Sequence, residues 1–200
     1  SNIMVASRYA MLENEVIVLE KKTAPHDGRV ALRAVLDVQG QPITVYGVHL
    51  SVPRQRVPAY PRVVVNKTLH LMQHYDESRR NAQIAVLLNQ VRHENNPVLI
   101  AGDFNMSHTS AIYEAFVEAG LVDTYATAGA GFGMSWPVHH TLPPVLRIDY
   151  VWHSHRLRTV AARTGEQRGS DHLPLIVDIE VIVSSAPLAA YSPDGLCGGG

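Results

Sequence analysis

The sequence predicts an α/β protein built in layers, and three observations carry that prediction. Apolar and β-branched runs of strand length recur along most of the chain. Only two stretches, residues 64–92 and 109–119, carry helical character. Gly, Pro and Asn punctuate the runs as turns, a pattern that fits sheets flanked by a few helices and argues against a bundle.

In chain order, residues 3–6 and 16–19 are short apolar strand candidates. Residues 30–38 and 43–50 are β-rich runs on either side of Gly40-Gln41-Pro42, which predicts a hairpin. Residues 52–61 hold Pro53, Pro58 and Pro61 and read as a loop. Leu69, Met72, Ile84, Leu87, Leu88 and Val91 then recur at helical spacings. Pro97 ends that region, and Val98-Leu99-Ile100-Ala101 is a buried-strand run. A short helix is expected over 109–119, capped by Ser107 or Thr109. The Gly- and Pro-rich stretch 129–144 reads as an ordered surface loop. Two strands are expected over 147–153 and 173–183, and residues 184–200 read as a tail. The expected organisation is one domain over 1–183 followed by that tail.

Composition narrows the function classes. Of 200 residues, 46% are hydrophobic and 18% charged, which is enough to bury a core. No run approaches the roughly 18 apolar residues of a membrane helix, and no secretory signal is visible at the start. A formal net charge of −1 weakens a nucleic-acid reading without removing it, because a basic patch can sit within a neutral total. Cys197 is the single cysteine, so an internal disulfide and a cysteine-rich zinc site are excluded. Eleven histidines direct attention to catalysis.

Four short segments hold candidate chemistry. Asp103 and Asn105, in Gly102-Asp103-Phe104-Asn105, lie two residues apart at a strand end and point the same way. They can face one ligand or simply build a turn. Asp171-His172 offers a base or cation site, and equally a solvated loop. Asp149, in Arg147-Ile148-Asp149-Tyr150, is one acid on a strand or an edge-strand acid facing water. His49, in Val48-His49-Leu50-Ser51, is catalytic or structural. Together and in this order, the segments can converge on one cleft at the ends of successive strands.

Val-His-Leu-Ser, Gly-Asp-Phe-Asn, Arg-Ile-Asp-Tyr and Ser-Asp-His-Leu-Pro-Leu appear in an order and spacing that resemble the endonuclease/exonuclease/phosphatase superfamily. Ser7-Arg8-Tyr9 and Ser135-Trp136-Pro137 resemble further elements of it. The resemblance implies a layered sandwich of two packed, mostly antiparallel β-sheets flanked by helices. It implies a divalent-metal-dependent phosphoesterase using Mg²⁺ or Mn²⁺ and acting on a small-molecule, lipid-linked or nucleic-acid phosphate ester. By matching motif, His172 would be the base or phosphate-polarising group, oriented by Asp149. Asp171 would stand on the metal side. Asp103 would align the attacking water or stabilise the transition state, Asn105 would hold a phosphate oxygen, and His49 would stabilise charge or protonate the leaving group. A nuclease using Arg54, Arg56, Arg62, Arg79 and Arg80 is the alternative enzyme. In that reading Arg79 and Arg80 compete with a simpler role, the solvated face of a helix. A binding module that keeps the fold without catalysis is the alternative outside the enzyme class.

The resemblance also departs from the family. The family's first strands, one with an Asn and one with a metal-binding Glu, have no counterpart here. Glu13, Glu15 and Glu20 lie after the Ser-Arg-Tyr element and cannot substitute. The sequence is therefore expected to be incomplete at its N-terminus, with an incomplete metal site, impaired activity in this chain by itself and a sheet surface open to self-association. Location is expected to be cytoplasmic, or membrane-attached through an upstream region.

Overall fold

The computed structural model describes residues 3–20, 28–55, 75–138 and 143–182. The chain enters the main sheet through β1 (Ala10–Glu20), which pairs antiparallel with β2 (Arg29–Val38). The expected hairpin joins β2 to β3 (Gln41–His49), with Val38 opposite Gln41. Gln39 and Gly40 both take positive φ, 56° and 84°, as a two-residue turn matched to strand twist requires. A small antiparallel pair, β4 (Arg54–Gln55) and β5 (Tyr75–Asp76), precedes the main helix α1 (Ser78–Val91). β6 (Val98–Asp103) then pairs parallel to β3. A parallel pair cannot be closed by a tight turn, and the crossover contains α1.

After β6 come a 3₁₀ turn (Ala111–Tyr113), α2 (Glu114–Glu118), β7 (Leu121–Asp123) and α3 (Thr124–Ala128). β8 (Asp149–Ser154) completes a six-stranded sheet ordered β1-β2-β3-β6-β8-β7. β9 (Leu157–Thr164) and β10 (Leu175–Val181) form a separate two-stranded antiparallel sheet. His153 Nε2 links the two sheets through a 2.9 Å hydrogen bond to the Thr159 hydroxyl.

One face of the main sheet packs beneath the helices. Tyr46, Val48, Ile100, Tyr150 and Trp152 meet Ile84, Leu87, Leu88 and Val91 of α1 and Phe116 of α2 in one buried cluster. Phe116 stacks on Trp152 with centroids 4.8 Å apart and meets Phe104 edge-on at 5.4 Å. Each such ring contributes roughly 1.5–3 kcal/mol through burial. The Glu94 carboxylate ties helix layer to sheet, accepting from Arg33 Nε at 2.6 Å and from the Tyr46 hydroxyl at 2.6 Å.

Several expectations need correction. Residues 3–6 are not a strand: Ile3 and Val5 cross β3, with methyl carbons 3.1 Å from where a Cβ on Gly47 would stand. The main helix spans 78–91, and the rest of the expected 64–92 segment, with Leu69 and Met72, lies mostly outside the described residues. The 109–119 helix divides into the 3₁₀ turn and α2, and its first cap, Ser110, makes no side-chain capping bond. β9 has no counterpart among the expected strands; Arg158 and Arg163, which interrupt its apolar pattern, lie on its exposed face. α3 also escaped prediction, although Asp123 caps it by accepting from the Tyr125 and Ala126 amides. The tail from residue 183 lies outside the described residues. No described helix is long and apolar enough to cross a membrane.

Candidate active site

Strand register assembles the first half of the site. His49 is paired with Asp103, and Asp103 with Asp149, at the ends of β3, β6 and β8. Directly paired residues share a sheet face, so the three side chains form one row at the rim. Gly102 lets the strands approach closely. Its φ is +147°, and a Cβ there would stand 1.9 Å from the Val48 carbonyl oxygen.

Phe104 and Met106 are buried anchors on either side of Asn105. Between them Asn105 adopts φ 49°, in the left-handed region. Its backbone amide donates to Asp103 Oδ1 at 2.9 Å. Its side-chain nitrogen donates to Asp103 Oδ2 at 3.1 Å and to the Leu50 carbonyl at 3.0 Å. Asn105 thus fixes the Asp103 carboxylate, a role the sequence reading did not foresee for it.

His172 arrives from the loop before β10. The Val138 amide donates to the Asp171 carbonyl at 2.8 Å, and the Leu173 amide to the Ser135 carbonyl at 2.8 Å. These bonds lay the loop against residues 135–138. His172 Nδ1 meets Asp149 Oδ2 at 2.8 Å. The Trp136 indole N–H donates to Asp171 Oδ2 at 3.3 Å. His49, Asp103, Asn105, Asp171 and His172 line one cleft of about 560 Å³, with Val52, Tyr75, Trp136, Leu146 and Arg80 among its other walls. Asp149 stands behind His172, bordering the neighbouring cleft.

The electrostatics separate the groups. Burial is the main cause that pushes the Asp103 carboxyl up to about 6, with Asp149 adding to it and the Asn105 bonds opposing it. Burial draws His49 below the usual histidine range, and Arg29 and His172 add to the shift. Burial also pulls on His172, but the Asp149 hydrogen bond and charge, with Asp103 and Asp171, raise it above its ordinary value.

The donors are hard oxygens of the kind a divalent cation prefers. Among the described residues, however, no three His, Cys, Asp or Glu side chains are placed to hold an ion. Asp171 is exposed and its carboxylate accepts from Trp136. The described residues therefore do not form a cation cage.

Two residues of the cleft escaped the sequence reading. Trp136 was noticed only within a motif. Arg80 was expected either on a phosphate-contacting surface or on a solvated helix face, yet its side chain is 1% exposed. The signal was available: Arg80 lies four residues before Ile84 and seven before Leu87, in phase with the buried stripe. Arg79 hydrogen-bonds Glu20 at 2.8 Å. The Arg54 side chain, Arg56 and Arg62 lie outside the described residues.

A sequence model of the endonuclease/exonuclease/phosphatase family matches residues 1–172. Protein YbhP of Escherichia coli is 32% identical over 133 residues, covering 61% of this chain and 51% of its own length. The chain thus spans about half the length of the curated relatives it matches. Among solved structures, a mannosyl-6-phosphatase of Bacteroides thetaiotaomicron aligns with a TM-score of 0.63 at 17% identity, covering 86% of this chain and 67% of that one. A family protein of Leptotrichia buccalis aligns at 0.62 and 20% identity, covering 87% and 62%. The human Nocturnin catalytic domain aligns at 0.57 and 20% identity, covering 87% and 60%. At these identities the structural likenesses show the fold.

Proposed function

This chain belongs to the endonuclease/exonuclease/phosphatase family, and from that premise we propose that it serves a divalent-metal-dependent hydrolysis of a phosphomonoester or phosphodiester by an activated water. The observation that carries the reading is the convergence of two His–Asp pairs with opposite electrostatics on one cleft. His172 holds its proton more firmly and His49 less firmly than a free histidine.

In this reading Asp103 aligns the water and accepts its proton. A carboxyl near 6 is well matched to that step close to neutral pH. Asn105 keeps both Asp103 oxygens in place. His172, with Nδ1 committed to Asp149, presents its other nitrogen to a phosphate oxygen, and its raised pKa favours the charge-neutralising protonated form. His49, whose Nε2 lies 3.7 Å from Asp103 Oδ2, faces the leaving oxygen from across the cleft. Members of the family are generally divalent-metal dependent. Mg²⁺, with Mn²⁺ as substitute, is the proposed cation, and its chemistry when bound is neutralisation of phosphate charge. Asp171 is the described residue proposed for its side of the pocket.

A small or lipid-linked phosphate is the proposed substrate class. Two of the arginines that a nuclease surface required, Arg79 and Arg80, are committed to Glu20 and to the Asn105 carbonyl. The non-catalytic alternative is favoured by one observation, the lack of a cation cage among the described residues. Comparing p-nitrophenyl phosphate, bis(p-nitrophenyl) phosphate and a single-stranded oligonucleotide as substrates separates these readings. Turnover of either chromogenic ester above the oligonucleotide supports the proposal, and preferred oligonucleotide cleavage supports the nuclease.

A further inference from the structure

We propose that Arg80 is a positioning residue for this hydrolysis: its buried guanidinium clamps Asn105, and through Asn105 it sets the Asp103 carboxylate. The inference rests on the proposed function for its kinetic consequence but on geometry for its physical basis.

Nη1 of Arg80 donates to the Asn105 carbonyl at 2.6 Å. Nη2 donates to Glu77 Oε1 at 2.9 Å, to Ser110 Oγ at 3.2 Å and to Asn81 Oδ1 at 3.2 Å. One planar fork thus binds the first turn of α1 to both ends of the loop that carries Asn105. Burying a guanidinium is unfavourable unless its donors are matched, and here Nε is buried without a partner among the described residues. A residue serving only to join α1 to the loop could do so with apolar contacts at lower cost.

What the guanidinium holds is an unusual backbone. Asn105 at φ 49° is in the left-handed region, which asparagine enters more readily than most residues but still at a cost relative to the right-handed one. The restraint comes from both sides: Arg80 on the carbonyl, Asp103 and the Leu50 carbonyl on the amides. If the Arg80 bond is removed, Asn105 can relax, and both bonds that orient Asp103 loosen together. Lysine cannot reproduce the clamp, because an ammonium lacks the planar fork.

The test has two arms on the full chain. In the first, carbon-detected NMR follows the Asp103 carboxyl titration in the native protein and in Arg80→Gln and Arg80→Lys, with thermal melts to establish folding. Burial is the largest influence on that titration, and four groups face the carboxyl: Asn105 from its own loop, His49 from β3, Asp149 from β8 and His172 from the loop before β10. Losing the Asn105 bonds removes a restraint that favours the carboxylate, so the midpoint moves upward in both folded variants. An unmoved midpoint in a folded variant overturns the proposal. In the second arm, a double-mutant cycle combines Arg80→Gln with Asn105→Ala. Arg80→Gln is expected to lower kcat about 10- to 100-fold with KM within about threefold, and the double variant to lose no more than Asn105→Ala alone. Multiplicative losses would overturn the proposal. Absence of turnover in the native chain would count against the proposed function, while the first arm still decides the role of Arg80.

Discussion

His172 Nδ1 lies 2.8 Å from Asp149 Oδ2, and the two residues come from different parts of the chain: the start of β8 and the loop before β10. The bond fixes which ring nitrogen remains for the cleft. It also explains why His172 resists losing its proton although burial pulls the other way. His172→Ala is expected to lower kcat/KM by about 10²–10⁴-fold. Asp149→Asn is expected to fall between that variant and the native protein, because the ring is still held but its charge is no longer balanced. Steady-state kinetics with a melt of each variant checks this.

In the proposed reaction Asp103 sets the pH dependence. As the proton acceptor it must be ionised, and burial holds it at about 6. Activity should therefore fall as pH drops through about 6, following one protonation. The stability contribution runs in the opposite sense. With the folded pKa above its unfolded value, this carboxyl's share of stability is present at low pH and is lost as pH rises through about 6. A pH–rate profile that is flat between pH 5 and 7 would exclude Asp103 as the base.

Gly102 is expected to tolerate no side chain. Alanine would place Cβ 1.9 Å from the Val48 carbonyl oxygen in a backbone conformation that only glycine adopts easily. Gly102→Ala should separate β3 from β6 and move His49 away from Asp103. The expected readout is a loss of both thermal stability and turnover, whereas Gly40→Ala, strained at φ 84° but far from the site and with open space around its Cβ, should cost stability and leave turnover intact.

Arg147 and Asp123 form a buried ion pair at 2.7 Å, with side chains 8% and 3% exposed. Arg147 also lies 4.7 Å over the Tyr150 ring, and Asp123 accepts from the Tyr113 hydroxyl. Removing one partner leaves the other charge buried, so Arg147→Ala should destabilise the fold by about 3–5 kcal/mol. Urea denaturation measures it directly.

Self-association is the remaining proposal. β1 is an edge strand, and Val16 and Val18, two residues apart on one face, are more than half exposed. Light scattering is expected to show a concentration-dependent dimer that Val18→Lys weakens. A monomer across the whole concentration range would rule it out.

The sequence carried the parts of this structure that are local. The β2–β3 hairpin was legible because Gly40 falls between two β-rich runs. β6 was legible because Val98-Leu99-Ile100-Ala101 ends in Gly-Asp. The candidate residues were legible as motifs, and five of the six line one cleft. What escaped were relationships set by tertiary packing. Asn105 turned inward to Asp103 because Arg80 and Leu50 hold it there, and neither contact is visible in the local sequence. β9 was hidden by two arginines on its exposed face, and the apolar segment 3–6 lies over β3 instead of pairing.

The central claim is metal-dependent phosphate-ester hydrolysis at the His172 cleft. Its most direct test is release of p-nitrophenolate from bis(p-nitrophenyl) phosphate with Mg²⁺ or Mn²⁺, with and without EDTA, by the native protein and by His172→Ala. The predicted result is turnover with metal that disappears on chelation and falls by at least about 100-fold in the variant. Turnover that is unchanged in His172→Ala, or no turnover with either metal, would contradict it.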